Sequence, residues 1–313
     1  MSRATKDLGL IAAAQQTNLY TPNTTFTNDN VLGVLGEFSF ASNANATLIQ
    51  NAGKQGQRAA VPQPSNGDIT ITYPIKGGGA TGSYGECFGL LDACCMSSSE
   101  ALDVKTWTPT DDISNWKAYT MRHYSGNLSA GNCKISQINN VMFNAKIMFD
   151  WTGEEGYAKI EYSGKGDYNG APTLGNILTR TQETIPVEAI YGLTKTFFGD
   201  NDYELLKLEF DLGINIVVTK GETRYALRST EAIKWSATVY NDSTVVPETL
   251  FSAGTTGQIS LQWGTSPNVI TVATGATAAQ IVSHSSSEQD GIETIDLTGI
   301  VIGNDLTIEN DSN

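Results

Sequence analysis

The chain is short of the residues that carry most enzymatic chemistry. Its 313 residues include 2 histidines and 4 cysteines. Imidazole and thiolate are the usual neutral-pH bases, nucleophiles and soft metal ligands, so scarcity of both leaves few places for such work. Neither histidine is well placed. His123 sits in an alternating, strand-like stretch, and His284 lies in the polar run "SHSSSEQD". Ser283 and Ser285 flank His284, but sequence neighbours rarely face one another productively, and there is no G-x-S-x-G elbow. The acids of "GDNDYE" (199–204) lack the twelve-residue calcium-loop pattern. No catalytic, cofactor-binding or metal-binding residue is nominated, and the expectation is a protein that is not an enzyme.

Basic residues are also few. Lys and Arg total 19 against 33 Asp and Glu, a net charge of −14. A nucleic-acid binder needs cations to neutralise phosphates, so this balance argues against such a surface. The excess is uneven: residues 1–150 carry 10 basic and 11 acidic side chains, residues 151–313 carry 9 and 22. Long apolar runs are missing. Leu8 to Ala14, preceded by Asp7, is too short for a membrane span and lacks the layout of a signal peptide. The expectation is a protein made in the cytosol, in which glycosylation-type sites such as Asn127 carry no weight. Cys87, Cys94, Cys95 and Cys133 show no C-x-x-C spacing and read as free buried thiols.

What is present is alternation. In "DITITYPI", Ile69, Ile71, Tyr73 and Ile75 face one way and Thr70, Thr72 and Pro74 the other; Ile233, Trp235, Ala237 and Val239 alternate likewise with Lys234, Ser236 and Thr238. Further strand-like stretches fall at 37–41, 115–124, 132–138, 141–151, 157–164, 204–221, 258–264, 268–273 and 292–303, with Gly, Asn, Asp and Pro at the joins. This pattern predicts a mainly β protein, an antiparallel sandwich or barrel with one or two flanking helices. Residues 16–31 and 43–67 are polar and read as arms or loops. Trp107, Trp116, Trp151, Trp235 and Trp263 are dispersed, which suits core or subunit contacts better than a sugar platform.

After the first of these strands, Gly77, Gly79 and Gly82 spell G-x-G-x-x-G. A dinucleotide loop follows a buried, continuously apolar parallel strand within repeated βαβ units. Here the strand alternates, Pro74 suits a central ladder badly, and no GK[ST] follows; Asp103 alone is a chance-level match to a ribose acid. Ser83 and Glu86 match a capping box, and Cys87, Leu90, Leu91 and Cys94 recur at helical spacing. The glycines are therefore expected to join a strand tightly to a helix.

The two halves echo each other. The order strand, helix, strand, strand, closing strand runs from "DITITYPI" to "YAKIEYSG" and again from "AIKWSATV" to "IETIDLTG", with Ile160–Gly164 aligned to Ile295–Gly299. The echo is either chance or a tandem duplication. On the second reading the chain divides into an N-terminal arm (1–30), a first β domain (31–170), a linker (171–199), a second β domain (200–305) and a C-terminal tail (306–313).

From Phe210-Asp211-Leu212-Gly213, through Ala253-Gly254-Thr255-Thr256-Gly257 with Leu261 and Gly264-Thr265, to Asp290-Gly291-Ile292, the sequence resembles tail tube proteins of long-tailed bacteriophages. "YPIKGGGATG" with Leu90-Leu91-Asp92-Ala93-Cys94, and the segment from "KISQINNV" to "GKGDY", extend that similarity over about Thr25 to Ile308. The resemblance implies a tube domain of sandwich or barrel type, in which subunits join sheets edge to edge into rings. Rings stack into the hollow virion tail through which DNA is ejected. It implies self-assembly, and tape-measure, tail-terminator and baseplate proteins as partners, with no cofactor and no membrane. The acidic balance suits a lumen from which phosphate slides. The competing reading is a virion adhesin or glycan-binding β-sandwich.

Overall fold

Alternating stretches bounded by turn residues fold as antiparallel strands, because one face of each can be buried while the other stays wet. The computed structural model describes residues 9–313 apart from 34–37, 44–45, 51–57, 63–65, 127–130, 154–155, 169, 171, 180–184, 186, 192, 200–203, 219–225, 241–246 and 290. The protein is mainly β. Its earlier strands are β1 (Leu10–Gln15), β2 (Phe38–Asn43), β3 (Ala46–Gln50), β4 (Arg58–Pro62), β5 (Asn66–Pro74), β6 (Met96–Ala101), β7 (Val104–Pro109), β8 (Tyr119–Gly126), β9 (Cys133–Asp150), β10 (Lys159–Tyr168) and β11 (Thr173–Gly175). Then come β12 (Thr194–Phe197), β13 (Leu205–Asp211), β14 (Ile214–Val218), β15 (Ala226–Thr230), β16 (Lys234–Tyr240), α1 (Pro247–Ser252), β17 (Thr256–Gly257), β18 (Ile259–Trp263), β19 (Val269–Thr274), β20 (Ala279–Gln289), β21 (Ile292–Val301) and β22 (Leu306–Asp311).

A 12-stranded sheet runs β17-β20-β21-β16-β13-β9-β10-β5-β2, with β8 and β11 also on β9 and β1 on β8. A six-stranded sheet runs β12-β18-β19-β22-β7-β6. Two hairpins, β3–β4 and β14–β15, stand apart. The sheets enclose one main core, in which Trp263 meets Phe149 edge-on at 5.2 Å and Phe197 meets Trp235 at 5.8 Å.

The large sheet contains the echo as a repeat. Its order reads β20-β21-β16-β13 and then β9-β10-β5-β2, two four-strand units laid side by side in the same direction, every pair antiparallel. Registers agree as well. One row crosses Phe40, Ile69, Gly164 and Phe143; the matching row crosses Phe210, Trp235, Gly299 and Ile281. Each unit inserts its free hairpin at the same point: β3–β4 between β2 and β5, β14–β15 between β13 and β16. The six-stranded sheet does not follow the repeat.

Several sequence expectations are corrected. Strands from 31–170 and from 200–305 contribute to both sheets and to one main core, so these segments do not separate into two domains joined by a linker. Within 171–199, β11 pairs with β9 and β12 with β18, and Ile190 is buried. The 1–30 arm contributes β1, which pairs along the edge of β8 and in which Ile11, Ala12, Ala13 and Ala14 are buried. Residues 306–313 are no tail: β22 bridges β19 and β7. The stretches at 132–138 and 141–151 form one strand, β9, across Asn140 at φ 54. The expected helix after the glycines is two short 3-10 turns, Glu86–Phe88 and Leu91–Cys94. Gly85 precedes the first turn with non-helical ψ, Cys95 ends the second at φ 60, and Ser83 does not cap the first. Glu86 instead accepts the Gly33 N–H at 2.8 Å. The apolar stripe was legible all the same, since Cys87, Leu90, Leu91 and Cys94 are all buried. One six-residue α-helix, α1, is present among the described residues.

Candidate functional site

With the main core packed on one side, the large sheet's other face carries the polar half of each alternation. On it lie Asp68, Asp150, Glu161, Glu209, Asp211 and Asp296, against Lys146, Lys159, Lys165, Lys207 and Lys234, among threonines and serines. Neighbouring strands set opposite charges side by side. Lys146 Nζ is 2.9 Å from Glu209 and 3.5 Å from Asp211, and Lys207 Nζ is 3.7 Å from Asp150. The hydrogen bond to Glu209 raises the Lys146 pKa. Burial pushes the Asp150 carboxyl up, but bonds from Thr152 and Gly153 and the Lys207 charge hold it below its ordinary value. Thr238 donates to Asp296 at 2.6 Å. Acids and lysines nearly balance along it, so the acidic excess of the second half is not concentrated on this face. Between β13, β16 and β21 it is grooved shallowly, lined by Glu209, Asp211, Lys234, Ser236 and Thr298.

This face ends in two edges. β2 pairs only with β5 among the described residues. On the far side, β20 is paired by β17 at Ala279 and Gln280, α1 packs against it at His284, and from Val282 to Gln289 no strand pairs with that edge among the described residues. The open strand is rich in serine, and Ser283 and Ser287 bond inward to Thr298 and Thr294 at 2.6 and 2.7 Å. Polar edge strands of this kind limit indiscriminate pairing.

The glycine loop turns inward. Gly79 donates to Asn268 Oδ1 at 2.7 Å, Gly82 to Ser312 Oγ at 3.0 Å and Gly85 to Asn310 Oδ1 at 2.9 Å. A phosphate cradle keeps its N–H groups free for the anion; these three are occupied by side chains from β22 and its neighbours. Gly79 and Gly82 take φ of 78 and 75, which explains glycine there. Asp103 lies in the β6–β7 turn, its carbonyl accepting from Ser312.

The remaining singled-out residues are scattered. His123, on β8, packs against Phe40 at 5.3 Å, and burial together with Lys134 lowers its pKa. His284 stands exposed on β20 against Phe251 of α1, at 5.1 Å. Ser283 and Ser285, one residue to either side, point to the opposite face of that strand. Trp107 and Trp235 are buried and bond Asp92 and the Ile300 carbonyl; Trp151 stacks on Phe149. All four cysteines are buried thiols, and burial pushes the Cys87 thiol up to about 12. Asn127 and most of 199–204 lie outside the described residues. Among the described residues no helix is long and apolar enough to cross a membrane. Sequence reasoning missed the open β20 edge. The one signal for it is the serine run at 283–287, which alternates poorly for a strand with a buried face. No protein-family model matches the chain, and no curated protein matches it.

Proposed function

We propose that the chain is a structural protein of the tail-tube type, building a hollow tube from rings that stack. The carrying observation is the large sheet: one face buried, one face polar, and two like units set in series between two open edges. A sheet of this kind has no natural end within one molecule, and closure through further copies removes its edges. In the tube the polar face lines the bore. Its alternating charges are already paired by neighbours, so it offers a passing polyanion little net attraction, which suits DNA that must slide. Each chain supplies two units, so three chains make a ring of six. Tape-measure, terminator and baseplate proteins are the partners that such a tube requires. The virion tail is then its location.

Negative-stain microscopy of the purified, concentrated protein tests this reading. Hollow filaments with regular cross-striations are expected. Discrete particles at every concentration and salt, with retention on a glycan array, would replace it with the adhesin reading.

A further inference from the structure

The chain contains one copy of its own junction. β9 offers a single edge to two neighbours: β8 fills it along Cys133–Val141, and β13, the last strand of the second unit, fills Lys146–Asp150. β20 is the strand equivalent to β9. Its edge is filled at Ala279–Gln280 by β17, and the part matching Lys146–Asp150 is Ser285–Gln289, which is open among the described residues. β2 is the strand equivalent to β13, and it is the open strand at the other end.

We infer that β2 of one copy pairs antiparallel with β20 of the next, in the register that β13 and β9 use within the chain. Phe210 faces Ile147 there, and Ile147 corresponds to Ser286 because Ile160 faces Ile147 as Ile295 faces Ser286. Phe40, the counterpart of Phe210, therefore meets Ser286 of the next copy, and Ala41 meets Ser285. The interface is heterologous, so it continues until a ring closes.

Two further observations fit this junction. The first is stagger. Phe210 sits at the level of Ile147, whereas its counterpart Phe40 sits at the level of Phe143, so each unit is displaced four residues along β9. One residue of stagger per strand, with a rise of about 3.3 Å and a strand spacing of about 4.8 Å, tilts strands by roughly 35°, the tilt of closed barrels. The second is the hairpin. β14–β15 leaves β13 and lies over β9 and β10, with the Leu212 N–H donating to the Ala145 carbonyl at 3.0 Å. Ala145 corresponds to His284, against which Phe251 of α1 packs while staying 40% exposed. The β3–β4 hairpin, which leaves β2 as β14–β15 leaves β13, covers that apolar spot on the next copy.

The inference rests on the repeat alone and not on the tube reading. Its test is a double variant, Ala41→Cys with Ser285→Cys, at two exposed positions where a side chain can be exchanged without disturbing the core. Mild oxidation is expected to give an intermolecular ladder on non-reducing gels, severalfold stronger than for Ala41→Cys with Ser287→Cys and lost in each single variant. A ladder of equal strength in the shifted pair, or none in a protein that still associates, overturns the register. A full-length protein that stays monomeric at high concentration overturns the junction itself. Closed rings that cross-link in register without stacking uphold this inference and end the tube reading; tubes whose chains do not cross-link do the reverse.

Discussion

Gly299→Ala probes how tightly the second unit is built. A Cβ at Gly299 would stand 2.2 Å from Trp235 Cε2 and 2.3 Å from the Gln280 carbonyl oxygen. Carbon contacts are comfortable at about 3.5–4.0 Å, so more than an ångström must be found. Neither neighbour can supply it cheaply. Trp235 is 2% exposed, held between Phe197 and Phe198, and its Nε1 donates to the Ile300 carbonyl at 3.2 Å. Gln280 lies opposite Ile300 in the β20–β21 ladder. Overpacking of this kind costs about 1–3 kcal/mol, and with both a buried indole and a backbone carbonyl in the way the upper end, about 3 kcal/mol, applies. An unfolding entropy of about 2.1 cal/mol/K per residue makes that a fall in Tm of roughly 4–5 °C for the whole chain. Calorimetry on Gly299→Ala, Trp235→Phe and the double variant measures it. The smaller ring should relieve part of the clash, leaving the double variant better than additive by about 1 kcal/mol or more. An unchanged Tm in Gly299→Ala, or strict additivity, would refute the reasoning. Gly164, its counterpart, would place a Cβ 2.5 Å from Phe143 Cε1 and should respond in the same direction.

Truncation through Gln15 is expected to destabilise the fold rather than merely trim an arm, since it removes buried Ile11 and uncovers β8. Burial of one such side chain is worth about 1.5–3 kcal/mol, and a truncated protein with unaltered thermal and chemical denaturation would contradict the role given to β1. Acidification should weaken the protein. His123 has a folded pKa below its ordinary 6.5, so the unfolded chain binds the extra proton and stability falls as pH drops through and below that value. Asp150, held low in the folded state, acts in the same direction at more acidic pH. Urea midpoints across this range, with His123→Phe flattening the upper part of the slope, check the assignment.

The large sheet was legible because its strands obey the simplest rule available, apolar inward and polar outward at every second residue. Ile69, Ile71, Tyr73, Trp235, Ala237 and Val239 are all buried as their alternation requires. Other elements were hidden by chemistry that alternation does not register. β1 is built on Ile11 and three alanines, which read as weak strand formers; they are buried by the pairing with β8 rather than by their own bulk. β22 reads as a polar end, yet Asn310 and Ser312 are fully buried because their side chains satisfy the glycine loop. The capping box failed for a related reason: the residues were present, but a third partner, Gly33, holds the Glu86 carboxylate. At the candidate site, alternation gave the polar face, since Lys146, Glu209, Lys234 and Thr238 fall at every second position of their strands. Which edges stand open depends on pairing between residues far apart, and no local pattern encodes that.

The position of β22 bears on how the chain is made. Gly85 finds its acceptor, Asn310, 225 residues further on, and β7 gains its second neighbour only when β22 arrives. At synthesis rates of about 5–20 residues per second, the glycine loop waits roughly 11–45 s on the ribosome for its partner. Contacts of such long range also slow folding once the chain is free. Through most of that interval β7 presents a naked edge, so nascent chains crowded on one message are the species most exposed to mispairing, and a holding chaperone would act on them before any copy becomes competent to assemble.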